Sequence, residues 1–155
     1  MQNPIKRITQ FNRDAGLLDN GYNDFLESSF QIEEALEGIL TEEMYWLAPS
    51  VTGFTPKEFS RYLLKSMHEE GIPPLSDVDR LDKACDAVVY AVGSMAKLGL
   101  SPQQITQALN VVMDANVAKL NCPKDEYGKL TKPADFDEKY APEPKLAAIL
   151  SKRAK

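Results

Sequence analysis

Residues 29–46, SFQIEEALEGILTEEMYW, carry the periodicity of one amphipathic helix. At about 100° per residue, Phe25, Ser29, Ile32, Leu36, Ile39, Leu40, Met44 and Leu47 gather on one broad face. Glu33 falls inside that apolar arc, Glu37 sits at its edge beside Phe30, and Glu34 lies further round, next to Glu37. A carboxylate carried into a surface that should be buried needs something to neutralise it.

Working outward, the chain reads as helices and little else. Residues 4–13 form a short leading helix, and the long one runs over about 22–47, ending before Pro49. In TPKE, Thr55 is an N-cap, Pro56 suits the first helical position and Glu58 completes a capping box. That helix stops at Gly71 and Pro73. A third spans Ser76 to about Leu98, with Asp77 and Asp79 at the positive end of its dipole. A fourth starts at Ser101-Pro102 with Gln104 as capping partner and reaches about Leu120. From about residue 122 the chain becomes a polar segment rich in Pro and Lys, with a short helix over 144–152. No alternating strand pattern and no repeat competes, so the expectation is one all-α domain over 1–155.

The third helix sharpens the opening question. ACDAVVYAVGSMA, residues 84–96, is apolar or small around most of its circumference, with Asp86 its only charge. Helices apolar on most sides are buried on most sides, so this one should pack between its own neighbours and a partner subunit. Asp82 stands one turn before Asp86 on the same face. The charge of Asp86 could be met by a neighbouring Lys or Arg, a shared proton, a backbone cap or a bound cation. Two acidic clusters on two helices of one bundle would repel unless a divalent metal sat between them. Their hard oxygen donors, with no nearby His or Cys, suit Mg²⁺ or Mn²⁺ rather than zinc. Taken alone, EEALE is a common solvated helix face, and it is the conjunction of clusters that carries weight.

Composition narrows the classes. The 155 residues are 43% hydrophobic, enough for a domain with a core. Acidic residues number 23 against 18 basic, which leaves no overall positive field for duplex nucleic acid. Cys85 and Cys122 are far apart, with no C-x-x-C, as suits a reducing compartment. The N-terminus MQNPIKRITQ lacks a hydrophobic signal core, and no run of about 18 apolar residues occurs. The expectation is a soluble, cytoplasmic protein without a membrane partner.

Four ordered segments are similar to the all-α nucleoside triphosphate pyrophosphohydrolases, the MazG-like and phosphoribosyl-ATP pyrophosphohydrolase-like proteins. IEEALE, residues 32–37, places Glu34 and Glu37 in an E-x-x-E motif, with Glu33 before it. LDKACDAVVYAVGSMAKLGL, residues 81–100, resembles the second acidic motif and its apolar helix; Lys83 stands where many members carry Glu, and Asp82 precedes it. DANVAKL, residues 114–120, resembles an N-x-x-K-L segment, and GKLTKPADF, residues 128–136, a G-K-x-x-K-P ending. The spacing between the acidic motifs is longer than usual, because the helix at 56–70 lies between them.

The resemblance implies a four-helix-bundle-type MazG-like fold whose subunits associate through helices as a homodimer or homotetramer. It implies cleavage of a (d)NTP-like nucleotide by water between its α and β phosphates, giving the monophosphate and pyrophosphate. Phosphate oxygens repel an incoming hydroxide, so the reaction calls for Mg²⁺, with Mn²⁺ as the alternative. Metal ligation then falls to Glu34, Glu37, Asp82 and Asp86, and the catalytic set to Glu33, Glu34 and Glu37, Glu33 as ligand or general base. Asn116, Lys119, Lys129 and Lys132 would hold phosphate or sugar. Tyr45, Trp46, Phe54 and Tyr90 are available for stacking on a base, although aromatics at helical spacing more often serve a core. The competing expectation is a non-catalytic helical dimer, marked by Lys83 or Lys97 reaching Asp86 or Glu37 and leaving no room for a metal; a second is a nucleotide-binding protein of the same fold that has lost turnover through Lys83 standing in the Glu place.

Overall fold

The computed structural model describes residues 2–19, 21–38, 53–71, 73 and 75–153. Its described residues are all-α, with helices α1 (Pro4–Asp14), α2 (Asp24–Glu37), α3 (Pro56–Glu69), α4 (Asp77–Lys97), α5 (Pro102–Val117), α6 (Phe136–Lys139) and α7 (Glu143–Leu150). The only bridge among the described residues outside helices is the antiparallel pair Lys124–Leu130. The part of the expected long helix over 39–47 lies outside the described residues, as do Tyr45 and Trp46.

Local chemistry sets the helix starts. The Thr55 hydroxyl accepts from the Glu58 N–H while the Glu58 carboxylate accepts from the Thr55 N–H at 2.8 Å, and Ser101 and Gln104 repeat this box on α5. Each satisfies two amides that the first turn leaves without intrahelical partners. Asn3 caps α1 and Asn23 caps α2 through their side-chain oxygens. The stop of α4 is a glycine device. Gly99 takes φ +85°, a conformation costly for a residue with a Cβ, and the Leu100 N–H returns to the Met95 carbonyl. Leu100 thereby turns into the core just before the Ser101 cap.

The chain divides into two compact units, one of Met1–Asn20 with Val78–Lys155 and one of Gly21–Asp77. In the first, Leu100, Ile105, Ala108 and Ile149 form the core, with Met95, Leu109, Val111, Leu146 and Leu150 packed against them. Helix α1 docks on α5 through Arg7, whose guanidinium donates to the Asn110 carbonyl at 3.0 Å, the Asn110 Oδ1 at 2.9 Å and the Asp114 carboxylate at 2.6 Å. In the second, α2 packs on α3 as a helical hairpin. Ser29 and Ser60, both fully buried, offer little bulk at that packing face. Their hydroxyls donate to the carbonyls of Leu26 and Lys57, three residues earlier, so neither buries an unsatisfied group.

Helix α4 departs from the burial its composition predicts. Every residue from Asp77 to Val92 except Arg80 is exposed, including Val78, Leu81, Val88, Val89 and Tyr90, and the helix meets the core only near its end, through Met95. No helix among the described residues is long and apolar enough to cross a membrane.

Candidate functional site

The carboxylate that posed the opening question is met by a guanidinium. Glu33 on α2 is 5% exposed, and Arg61 Nη2 from α3 donates to its Oε2 at 3.1 Å. The other nitrogen of the fork, Nη1, donates to the Ser29 hydroxyl one turn back on α2. The Arg61 guanidinium also lies over the Phe30 ring, 4.9 Å from its centroid. One planar cation therefore engages a carboxylate, a hydroxyl and a ring on a single helix, a division of labour that a lysine's compact charge would not match. Glu34 and Glu37, three residues apart, stand exposed on α2 outside this buried arc.

On α4 the second acidic pair has gathered a cation of its own. The Lys83 ammonium lies 2.8 Å from Asp82 and 3.5 Å from Asp86. All three side chains are more than half exposed, and hydrogen bonding to Asp82 with the charges of both carboxylates holds the lysine's pKa above its ordinary value. Lys83 thus stands where the resemblance expects an acid, and it bridges the two carboxylates. Among the described residues, no group of three or more His, Cys, Asp or Glu is close enough to hold a metal ion.

The third feature brings together three of the four residues expected to hold phosphate or sugar. Helix α5 ends at Val117, and Lys119 folds back so that its ammonium donates to Asn116 Oδ1 at 2.9 Å. The same ammonium lies 5.3 Å from the centroid of the buried Phe136 ring, and that of Lys132 lies 4.9 Å from it. The hairpin before Lys132 is built on Asp125, whose Oδ1 accepts from the N–H groups of Tyr127 and Lys129, while the Thr131 N–H and hydroxyl both reach the Pro123 carbonyl at 2.9 Å. Lys129 stands in this hairpin, its carbonyl accepting from the Asp125 N–H. Two ammonium groups drawn to one ring concentrate positive charge, which suits a phosphate chain.

Sequence reading missed Arg61 and Phe136. Arg61 had a visible signal, since FSRYLL sets a cation beside the inward-facing Ser60. Phe136 closes the quoted GKLTKPADF, but nothing in that string places it beneath two lysines. Among the expected stacking residues, Phe54 lies stacked on Tyr62 at 5.1 Å and Tyr90 is 75% exposed.

No protein-family model, curated protein or solved structure matches the chain.

Proposed function

We propose that the protein is a Mg²⁺-dependent nucleotide pyrophosphohydrolase, cleaving a (d)NTP-like substrate to the nucleoside monophosphate and pyrophosphate, in an all-α MazG-like fold whose subunits associate through helices. The observation that carries the reading is the meeting of the Lys119 and Lys132 ammonium groups at Phe136, with Asn116 accepting from Lys119, because the two lysines come from separate segments of the chain. The motif resemblance supplies the rest.

The donor chemistry fits a hard divalent cation. Glu34 and Glu37 are exposed carboxylates one turn apart, and Asp82 and Asp86 already share the charge of a cation, the Lys83 ammonium. Glu34 and Glu37 in one unit, and Asp82 and Asp86 in the other, are the carboxylate pairs that would each offer oxygen ligands to Mg²⁺, which supplies charge neutralisation at the phosphates and a lowered pKa for bound water. Lys119 and Lys132 bind and orient the polyphosphate as point charges, with Asn116 fixing the direction of Lys119. Arg61 holds Glu33 in place and thereby sets the face on which Glu34 and Glu37 are displayed.

One observation favours a second reading, in which the fold binds nucleotide without turnover or serves as a helical assembly: Lys83 bridges Asp82 and Asp86. An exposed ion pair of this kind is screened by solvent and readily exchanged. The deciding experiment is pyrophosphate release from a panel of NTPs, dNTPs and modified nucleotides, with Mg²⁺ and with EDTA. Metal-dependent release that is lost in Asp86→Asn supports hydrolysis. Silence across the panel, with Mg²⁺ and nucleotide still raising Tm by mass action, supports binding alone.

A further inference from the structure

Phe136 is a buried residue with charged company. Its ring is 5% exposed, yet two ammonium groups stand over it, that of Lys132 at 4.9 Å and that of Lys119 at 5.3 Å from the centroid. Local geometry brings each one there. The Phe136 N–H donates to the Pro133 carbonyl at 3.0 Å, a turn that folds the exposed Lys132 back over a ring four residues ahead of it. Lys119 arrives from beyond the end of α5, where its N–H donates to the Asn116 carbonyl at 3.0 Å and its ammonium to Asn116 Oδ1 at 2.9 Å. Asp135, the carboxylate next to Phe136 in the chain, pairs with Lys139 at 2.7 Å. Two like charges repel, and each long lysine stem loses rotamers when its end is fixed. Something must favour holding both ammonium groups in one place. The face of an aromatic ring does so, because its quadrupole presents negative potential to a cation. An aliphatic side chain of similar volume would fill the same space and attract neither charge.

We propose that Phe136 is a positioning residue for phosphate: the negative face of its ring, rather than its bulk, holds Lys119 and Lys132 together so that both meet one phosphate chain. This role rests on the reading of the two lysines as phosphate ligands, and it adds the group that sets where they stand. Ordering the lysines before the ligand arrives lowers the cost of closing them on it, since their rotamers are already restricted.

The test uses the full chain with mono-, di- and trifluorophenylalanine incorporated in place of Phe136, since fluorine withdraws density from the ring face with little change in its shape. Phe136→Leu is the aliphatic comparison, with circular dichroism to check its helices. In NMR spectra the ε-methylene protons of Lys119 and Lys132 should be shifted upfield by the ring in the wild type and return to ordinary values in Phe136→Leu. Binding of inorganic tripolyphosphate, followed by calorimetry in EDTA, should weaken stepwise with each fluorine, by roughly 5- to 30-fold at the third, the factor that two surface cation–π contacts imply. With Lys119→Ala and Lys132→Ala combined, fluorination should leave the remaining affinity unchanged, because the partners of the ring are gone. Ring-shifted lysines with a tripolyphosphate affinity that is indifferent to fluorine, or improved by it, would overturn the role of Phe136 and leave the lysines as phosphate ligands. So would lysine protons without an upfield shift in the wild type. Absence of tripolyphosphate binding by the wild type at millimolar concentration would overturn the phosphate reading itself, and the role of Phe136 with it.

Discussion

Replacing Arg61 with Met would leave the Glu33 carboxylate inside the α2–α3 hairpin without its guanidinium. The magnitude follows from burial. The side chains of Arg61 and Glu33 are 11% and 7% exposed, so water cannot take over the lost partner's role. Breaking a buried pair from one side costs about 3–5 kcal/mol, whereas an exposed pair is worth about 0–1 kcal/mol. In hydrogen exchange followed by mass spectrometry, a loss of this size accelerates the amides of α2 and α3 by roughly 10²- to 10⁴-fold, up to the limit set by the unit's own stability. The amides of α5, in the other compact unit, serve as the internal reference. The double variant Arg61→Met with Glu33→Met should recover most of the protection, because an apolar pair of similar volume carries no desolvation penalty. Exchange in α2 and α3 within about threefold of wild type in the single variant, well below the factor a buried pair implies, would refute the assignment of this pair as the hairpin's charge lock.

Glu34→Gln and Glu37→Gln should each abolish pyrophosphate release with the circular dichroism unchanged, since both side chains are exposed; turnover retained in both would sink the hydrolase reading. Lys119→Ala and Lys132→Ala should raise KM for the nucleotide more than they lower kcat, because each removes a charge that binds the polyphosphate in ground and transition state alike; steady-state kinetics checks this. The α3 cap should depend on pH. The Thr55 N–H and hydroxyl hold the Glu58 carboxyl below its ordinary range. The stability it contributes is therefore full above the unfolded pKa and is lost as pH falls through the lower folded one. Acid titration of urea midpoints should show this loss in the wild type and less of it in Glu58→Gln, whose amide oxygen keeps the cap without titrating.

Where the sequence was readable, the information was local. Thr55-Pro56 with Glu58 and Ser101-Pro102 with Gln104 announce their helix starts within four residues, and the structure has both capping boxes. A cap is a contact between near neighbours, so the string contains both halves of it. Glu33 is different. Its place in the apolar arc was visible, but its partner lies 28 residues away on another helix, and hydrophobic periodicity records which face is buried without recording what the opposing face carries. Phe136 was hidden for the same reason, since its ring meets lysines from two separate segments.

The two acidic helices show how the same sequence signal separates into two physical situations. A carboxylate in an apolar helix raises one demand, neutralisation, and the cost of leaving it unmet depends on depth. Glu33 is deep, and its cation is fixed in a planar fork by a carboxylate, a hydroxyl and a ring, so exchanging that cation would dismantle the hairpin contact. Asp82 and Asp86 are shallow, and their cation is a flexible lysine on the same helix, more than half exposed. A hard divalent ion could displace Lys83 from its place between them without breaking any helix packing. Lys83→Ala separates the two readings of α4. If the lysine only occupies the place of a metal, its removal should tighten Mg²⁺ binding, read as a larger Mg²⁺-induced rise in Tm than in the wild type. If the bridge is the end state of those carboxylates, the variant should show no added response to Mg²⁺, and the acidic pair on α4 would then have to be removed from the proposed metal set.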